Sequence, residues 1–360
     1  MGVLLNLITS KTPQIVEKYY SNGINIFMVK ILSNISSILP FSLFEIFIYV
    51  GAIATLSYFI YCIFNITKNP KKTLYYLKNM ILNIISIFGI IYFLFIILWG
   101  INYNRMDLED SLIEDYNKTK NLNIKKVEYD NENLKQLYKF LINQCNETRE
   151  KVSEDENKVM KCDSNIKNVL KRATKGYDNV HILNLNGKGT YGTAKYILNS
   201  NLLCYTGITG IYSPFTGEAN INVASPDIYI PFTTLHEMAH QRGYASEDEA
   251  NFLAYIACIN NEDYDFQYSG YLLALKYTAS ALAKVDYNAL VSANNDLSSS
   301  VINDLNHSSE FWKQFEGKVN EVSDGMNSNY LKANGVKEGT LSYGKVVNLL
   351  LTYYSLYGFK

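Results

Sequence analysis

The sequence predicts an α+β fold behind a pair of membrane-crossing helices, and three observations carry that prediction. Two uncharged apolar stretches, 46–66 and 80–101, are each long enough as helices to match the ~30 Å hydrocarbon core of a bilayer. Between about 180 and 223 the residues alternate or are β-branched, and Gly187, Gly189, Gly192, Gly207, Gly210 and Gly217 punctuate them. That is the texture of short strands and tight turns. After Pro231 the apolar spacing becomes helical over about 232–242, 247–260, 266–285, 309–324 and 342–356. A small sheet followed by helices reads as α+β.

Taken in chain order, residues 24–39 place Ile24, Phe27, Met28, Ile31, Leu32, Ile35 and Leu39 on one helical face, ended by Pro40. This is an amphipathic helix, lying on a membrane or packed on the soluble domain. The first ten residues are too short to span and lack the basic start of a signal peptide. Between the two apolar stretches lies a loop with Lys68, Lys71, Lys72 and Lys78 and no acid. The positive-inside rule assigns this loop to the cytoplasm. The chain then divides into an amphipathic extracytoplasmic segment (1–45), two transmembrane helices around a basic cytoplasmic loop (46–101), and an extracytoplasmic domain (102–360). An N-terminus outside implies that the short leading segment is translocated with the hairpin, or that a further helix precedes it.

Within the domain, Leu134, Leu137, Phe140 and Leu141 mark the clearest helix of a polar stretch, and 180–185, 193–198 and 218–223 are the expected strands. The five cysteines form no C-x-x-C spacing. Cys145 and Cys162 flank a polar stretch and would pair only in an oxidising space; free thiols are the preferred reading. Net charge is −1 with 19% charged residues, which gives no reason to expect nucleic acid as a partner.

The chemistry concentrates at His236-Glu237-Met238-Ala239-His240. The chain has four histidines, and two stand here at i and i+4, on one face of a helix, where both imidazoles reach one ion. Glu237 between them is placed as general base, and the pattern implies one Zn²⁺ per chain. Both rings must be neutral to bind, so affinity falls as pH drops through their pKa values. A third ligand has to come from elsewhere. Gly243 can turn the chain back after the motif helix, and Ser246-Glu247-Asp248-Glu249 starts the next helix. Ser246 with Glu249 matches a capping box, which leaves Glu247 as the preferred third ligand and Glu249 as the alternative. Tyr212 or Tyr343 could steady an oxyanion, and 218–222 could be an edge strand on which an extended peptide aligns.

The run Glu247-x-x-Ala250-Asn251 resembles the zinc-ligand helix of gluzincins, the thermolysin-like peptidases among them. That resemblance implies Glu247 as ligand and Asn251 as support of a ligand histidine. It departs from them in spacing, since only six residues separate His240 from Glu247. The longer run from Tyr212 to Cys258 resembles a bacterial membrane-anchored, zincin-like family catalogued as a domain of unknown function. That family supplies no substrate; the motif and the apolar pair together lead to the expectation of a membrane-anchored zinc metallopeptidase acting on a peptide or protein near the lipid bilayer. A non-catalytic zinc-binding sensor or scaffold, and a zinc amidase acting on cell-wall peptides, are the alternatives.

Overall fold

Apolar α1 (Gly2–Thr9) opens the chain, and α2 (Pro13–Ile15) follows with proline at the position where a helix needs no N–H. A π-helical stretch, Val16–Ile24, leads into α3 (Asn25–Ser36). The computed structural model describes residues 1–185, 190–333 and 343–359. The helix expected over 24–39 is α3, and its faces are informative. Asn25, Val29, Ser33 and Ser36 are buried against the rest of the molecule, while Ile24, Phe27, Ile31 and Ile35 are exposed. The small polar side chains permit close approach: Gly192 and Gly217 lie against the Ser33 backbone with no room for a Cβ.

After Pro40 come α4 (Leu43–Lys68) and α5 (Thr73–Leu98), packed on each other through a 3₁₀ turn at Pro70–Lys72. Both are long and apolar enough to cross a membrane, and only 6% of each apolar window is buried in protein. A core helix of a soluble fold would be mostly buried. The second stretch stops at Leu98 rather than Ile101, because Trp99 leaves helical geometry and Gly100–Asn104 tightens to 3₁₀. A small apolar cluster of Val16, Tyr20, Ile96 and Ile101 fastens the N-terminal helices to this end of α5.

The domain begins with α6 (Leu108–Lys120) and α7 (Asn131–Arg149). Asp130 and Asn133 close a capping box on α7, which buries Leu134, Leu137, Leu141 and Cys145 on one stripe. A short hairpin of β1 (Ser153–Glu154) and β2 (Met160–Lys161) precedes α8 (Ile166–Arg172) and α9 (Thr174–Asp178). The strand expected at 180–185 does not form. Leu183 and Asn184 adopt left-handed φ values, and the Leu183 N–H goes to the Asp115 carboxylate, so the segment is a 3₁₀ turn. Gly187 and Gly189 lie outside the described residues.

The sheet consists of β3 (Lys195–Tyr196), β4 (Gly210–Ser213) and β5 (Glu218–Ile221), with α10 (Ser200–Cys204) between the first two. Its order is β3-β5-β4. β3 runs parallel to β5, and β4 runs antiparallel to it with Tyr212 opposite Ala219. Residues 218–222 therefore hold the centre of the sheet, not its edge, because partners pair on both sides; β4, which periodicity does not mark, is one of the two edges.

The helical layer is α11 (Ile230–Gln241), α12 (Glu247–Ile259), α13 (Tyr264–Val285), α14 (Tyr287–Asn294), α15 (Ser299–Lys313), α16 (Lys318–Ala333) and α17 (Tyr343–Tyr357). The helix expected over 309–324 is two helices: the N–H groups of Gln314 and Phe315 tighten onto the carbonyls of Phe311 and Trp312, which ends α15. Leu235, Phe252, Leu253, Phe266 and Leu350 share the main core. A small sheet in a mostly helical domain is compatible with α+β. All five cysteines are free.

One polar seam joins α4 to the sheet. Ser42 caps the helix by accepting from the Glu45 N–H, and it donates to Asn220 Oδ1 at 2.6 Å. The Glu218 carboxylate accepts the N–H groups of Leu43 and Phe44 at 3.1 and 2.9 Å, a favourable anion at a helix N-terminus. Lys195 Nζ meets the same carboxylate at 2.6 Å, and both residues are buried. Glu45 in turn accepts from the N–H groups of Leu198 and Asn199. Replacing Glu218 by alanine strands Lys195 and two helix N–H groups. Thermal unfolding of the detergent-solubilised chain should register a loss of about 3–5 kcal/mol; an unchanged melting temperature removes the seam as a stabilising element.

Candidate metal centre

α11 starts at Ile230-Pro231, and its middle is almost wholly buried. It ends because Gly243 takes a φ of +84°, a left-handed turn that a side chain would strain. The Gly243 N–H closes on His240 O at 2.8 Å. Only six residues separate His240 from the start of α12, and this tight return sets Glu247 opposite the two histidines.

His236 Nε2 lies 3.1 Å from Glu247 Oε2, and His240 Nε2 lies 3.7 Å from Glu247 Oε1. One donor atom from each of the three falls within 4.8 Å of the others, and among the described residues this is the group of His, Cys, Asp and Glu that could hold a metal ion. Four-coordinate zinc with ligands about 2.0–2.1 Å away requires neighbouring donors roughly 3.3 Å apart. The two histidine-to-Glu247 distances, 3.1 and 3.7 Å, bracket that spacing, so the three side chains would close on an ion with small shifts. His240 Nδ1 lies 2.6 Å from the carbonyl of Tyr244. That carbonyl can only accept, so Nδ1 carries the proton and Nε2 presents its lone pair. Burial works to raise the Glu247 carboxyl, but His240 and His236 beside it outweigh that and hold it well below the ordinary carboxylate range. Burial opposes charging of His240, yet Glu247 pushes it up to about 9 while no ion is bound. A cation there takes over the role of that proton.

The sequence-derived candidates sort as follows. His236, His240 and Glu247 come together. Glu249 does not join them: its carboxylate accepts the Leu108 N–H at the start of α6, at 3.0 Å. The capping box is absent, since the Ser246 side chain makes no cap bond. Burial pushes the Glu249 carboxyl up to about 7. Asn251 supports neither ring, because the short turn brings the Tyr244 carbonyl to His240 Nδ1 instead, and His236 Nδ1 is buried without a hydrogen-bond partner. Glu237 is 4% exposed, and burial raises its carboxyl against the pull of both histidines. The Tyr212 backbone N–H lies on the side of Glu237 and works weakly to lower its carboxyl. Its ring packs on Trp99 and His240, and its hydroxyl is buried on the side of Tyr20 and Tyr191. The side chain of Tyr343 lies outside the described residues.

Several contributors escape sequence reasoning. Gly210, on edge strand β4, faces Glu237 so closely that a Cβ would sit 2.5 Å from Glu237 Oε1. Its only sequence signal is membership of a glycine-rich stretch. Trp99, at the end of α5, packs edge-on against His240 with centroids 5.7 Å apart. The hydroxyls of Tyr103 and Tyr330 bond each other at 3.1 Å, and burial, with the Glu247 charge adding to it, pushes both phenols up. Arg105 donates to the Gly243 carbonyl at 2.8 Å, stacks on Tyr244, and takes both oxygens of Glu17 in a bidentate pair. The ligand turn is thereby braced by the segment that precedes the apolar helices.

Zinc titration of the purified full chain should give about one ion per chain. His236→Ala and Glu247→Gln should lose it on dialysis, while Glu249→Gln keeps it, all read by metal analysis. Full zinc retention in His236→Ala ends the assignment of this centre.

No curated protein and no solved structure matches the chain. One family profile does, described as a protein of unknown function (DUF3810), and it aligns with residues 20–351. That span takes in α3, the apolar pair, the sheet and His236, His240 and Glu247, and the chain belongs to this uncharacterised family.

Proposed function

We propose that this protein is a membrane-anchored zinc metallopeptidase whose site faces the extracytoplasmic side and acts on peptides or proteins near the membrane surface. The observation that carries the reading is the position of Glu237. It shares a helix with two histidines whose Nε2 atoms converge on Glu247, and it lies directly beneath an edge strand.

His236, His240 and Glu247 would hold the ion. When bound, zinc polarises a carbonyl and lowers the pKa of water, which is the chemistry that amide hydrolysis needs. The protein does the rest. Tyr244 fixes the tautomer of His240. The Glu237 carboxylate would accept a proton from the attacking water and pass it to the leaving amine nitrogen. The free edge of β4 beside Glu237 suits an extended peptide backbone. A structural zinc site closes all four positions with protein ligands; three converging ligands with a buried carboxylate alongside favour catalysis over a sensor or scaffold. The basic loop at Lys68, Lys71, Lys72 and Lys78, assigned to the cytoplasm, sets the site outside. Cell-wall peptides present the same amide, and cleavage profiling on peptide libraries against purified wall separates the two substrates.

In proteoliposomes, Glu237→Gln should keep its zinc and lose peptide hydrolysis by about a hundred-fold or more. Gly210→Val should do the same from the opposite side, because its side chain would occupy the space of the Glu237 carboxylate. Undiminished turnover in Glu237→Gln removes it as the base.

A further inference from the structure

Three exposed apolar helix faces surround one end of the α4–α5 pair. On α3, Ile24, Phe27, Ile31 and Ile35 follow a helical repeat and are exposed. Leu202 of the five-residue α10 and its flanking Leu198 and Tyr205 form a second exposed patch, and on α16 the stripe is Val319, Val322 and Met326. Isolated exposed apolar residues are ordinary, but contiguous stripes at helical spacing mark a surface that something covers.

Each stripe is tied to the same end of the apolar pair. α3 leads into α4, and Asn25 donates to the carbonyl of Leu98 at the end of α5. Leu198 and Asn199, just before α10, give their N–H groups to Glu45 in the first turn of α4, and the Asn199 amide also bonds the Tyr49 hydroxyl one turn on. α16 sets the Tyr330 ring against Phe95 of α5 at 6.2 Å. The stripes also adjoin one another: Asn320 of α16 packs against Gly207 just after α10, and Tyr205 meets Phe315 edge-on at 5.0 Å. The polar side of α3 faces the other way, with Ser33 accepting from the Gly192 N–H and the Ser36 carbonyl accepting from Lys195.

We propose that α3, α10 and α16 form an interfacial collar that sinks its apolar stripes into one lipid leaflet and seats the metal domain on it. The occupant is lipid because the collar is continuous with two helices whose apolar windows are themselves 6% buried, and because amphipathic helices of this kind lie at the boundary between headgroups and acyl chains. A second copy of the chain would have to cover three elements around the pair at once. The collar stands whether or not the centre hydrolyses peptides. Where it does, Trp99 at the foot of His240 sets that chemistry at headgroup level.

The test uses the full chain in nanodiscs of phosphatidylcholine and phosphatidylglycerol. Four of the five native thiols are buried, so an environment-sensitive maleimide dye reports from Ile31→Cys, Leu202→Cys or Val322→Cys, with Lys139→Cys on α7 as reference and the wild-type chain as labelling blank. All three collar sites should show blue-shifted emission quenched by lipids brominated near the headgroup, and Lys139→Cys should show neither. A collar site that behaves like Lys139→Cys overturns the proposal. So does emission quenched by other labelled copies and restored by diluting with unlabelled chain, which identifies a second copy as the occupant. The wild-type chain gives a second reading that needs no variant. Diazirine-bearing phosphatidylcholine should leave adducts on peptides from α3, α10 and α16 and none on α7, and adducts confined to α4 and α5 overturn the collar.

Discussion

Six residues carry the chain from His240 to Glu247, and the rest of the centre follows from that constraint. So short a return forces the left-handed turn at Gly243. The turn directs the Tyr244 carbonyl onto His240 and leaves the Gly243 carbonyl for Arg105. Arg105 is held by Glu17, and Tyr244 lies flat under its guanidinium. A histidine that would otherwise need a side-chain partner is oriented by the main chain, which is why Asn251 is free of that duty. Gluzincin-like helices separated by a long connection would need a different brace.

The apolar pair and the domain are not separable modules joined by a linker. β5 pairs on both sides within the sheet, packs on α11, and through Glu218 and Asn220 receives the first turn of α4. α5 returns to the same place and ends in Trp99 against His240. The buried Lys195–Glu218 pair is costly to desolvate, and it is matched by hydrogen bonds to helix N–H groups and to the carbonyls of Ser36 and Phe41. Such a fully partnered polar knot fixes one docking geometry where apolar contacts alone would allow several.

What sequence makes legible is whatever is local. The spacing of His236 and His240, the turn at Gly243 and the two long apolar helices depend on helical period and backbone preference, and each lies where its residues indicate. The capping-box pattern that ranks Glu247 ahead of Glu249 does not form; the structure separates the two because the Leu108 N–H claims Glu249. Sheet order is non-local, so the central place of 218–221 and the edge strand at Gly210–Ser213 are invisible to alternation. The stretch 180–185 has strand-like side chains but a backbone set by Leu183 and Asn184 in left-handed geometry. Along α3 the period is visible while the direction is not: the polar side packs on protein and the apolar side looks out. Trp99 and Arg105 enter the centre only through tertiary placement.

The brace from Glu17 through Arg105 to Gly243, together with Trp99, has a consequence for biogenesis. Parts of the ligand turn are contributed from before the first apolar helix and from the end of the second. Until both apolar helices have packed and brought their ends together, the pieces that shape the candidate metal pocket are not assembled. If the apolar pair spans a membrane and the centre holds zinc, as proposed, insertion would act as a maturation checkpoint that couples metal acquisition to arrival at the working location. A fragment cut free of its helices would lose Trp99 and the Glu17 brace, so release from the membrane would disarm the centre rather than disperse it.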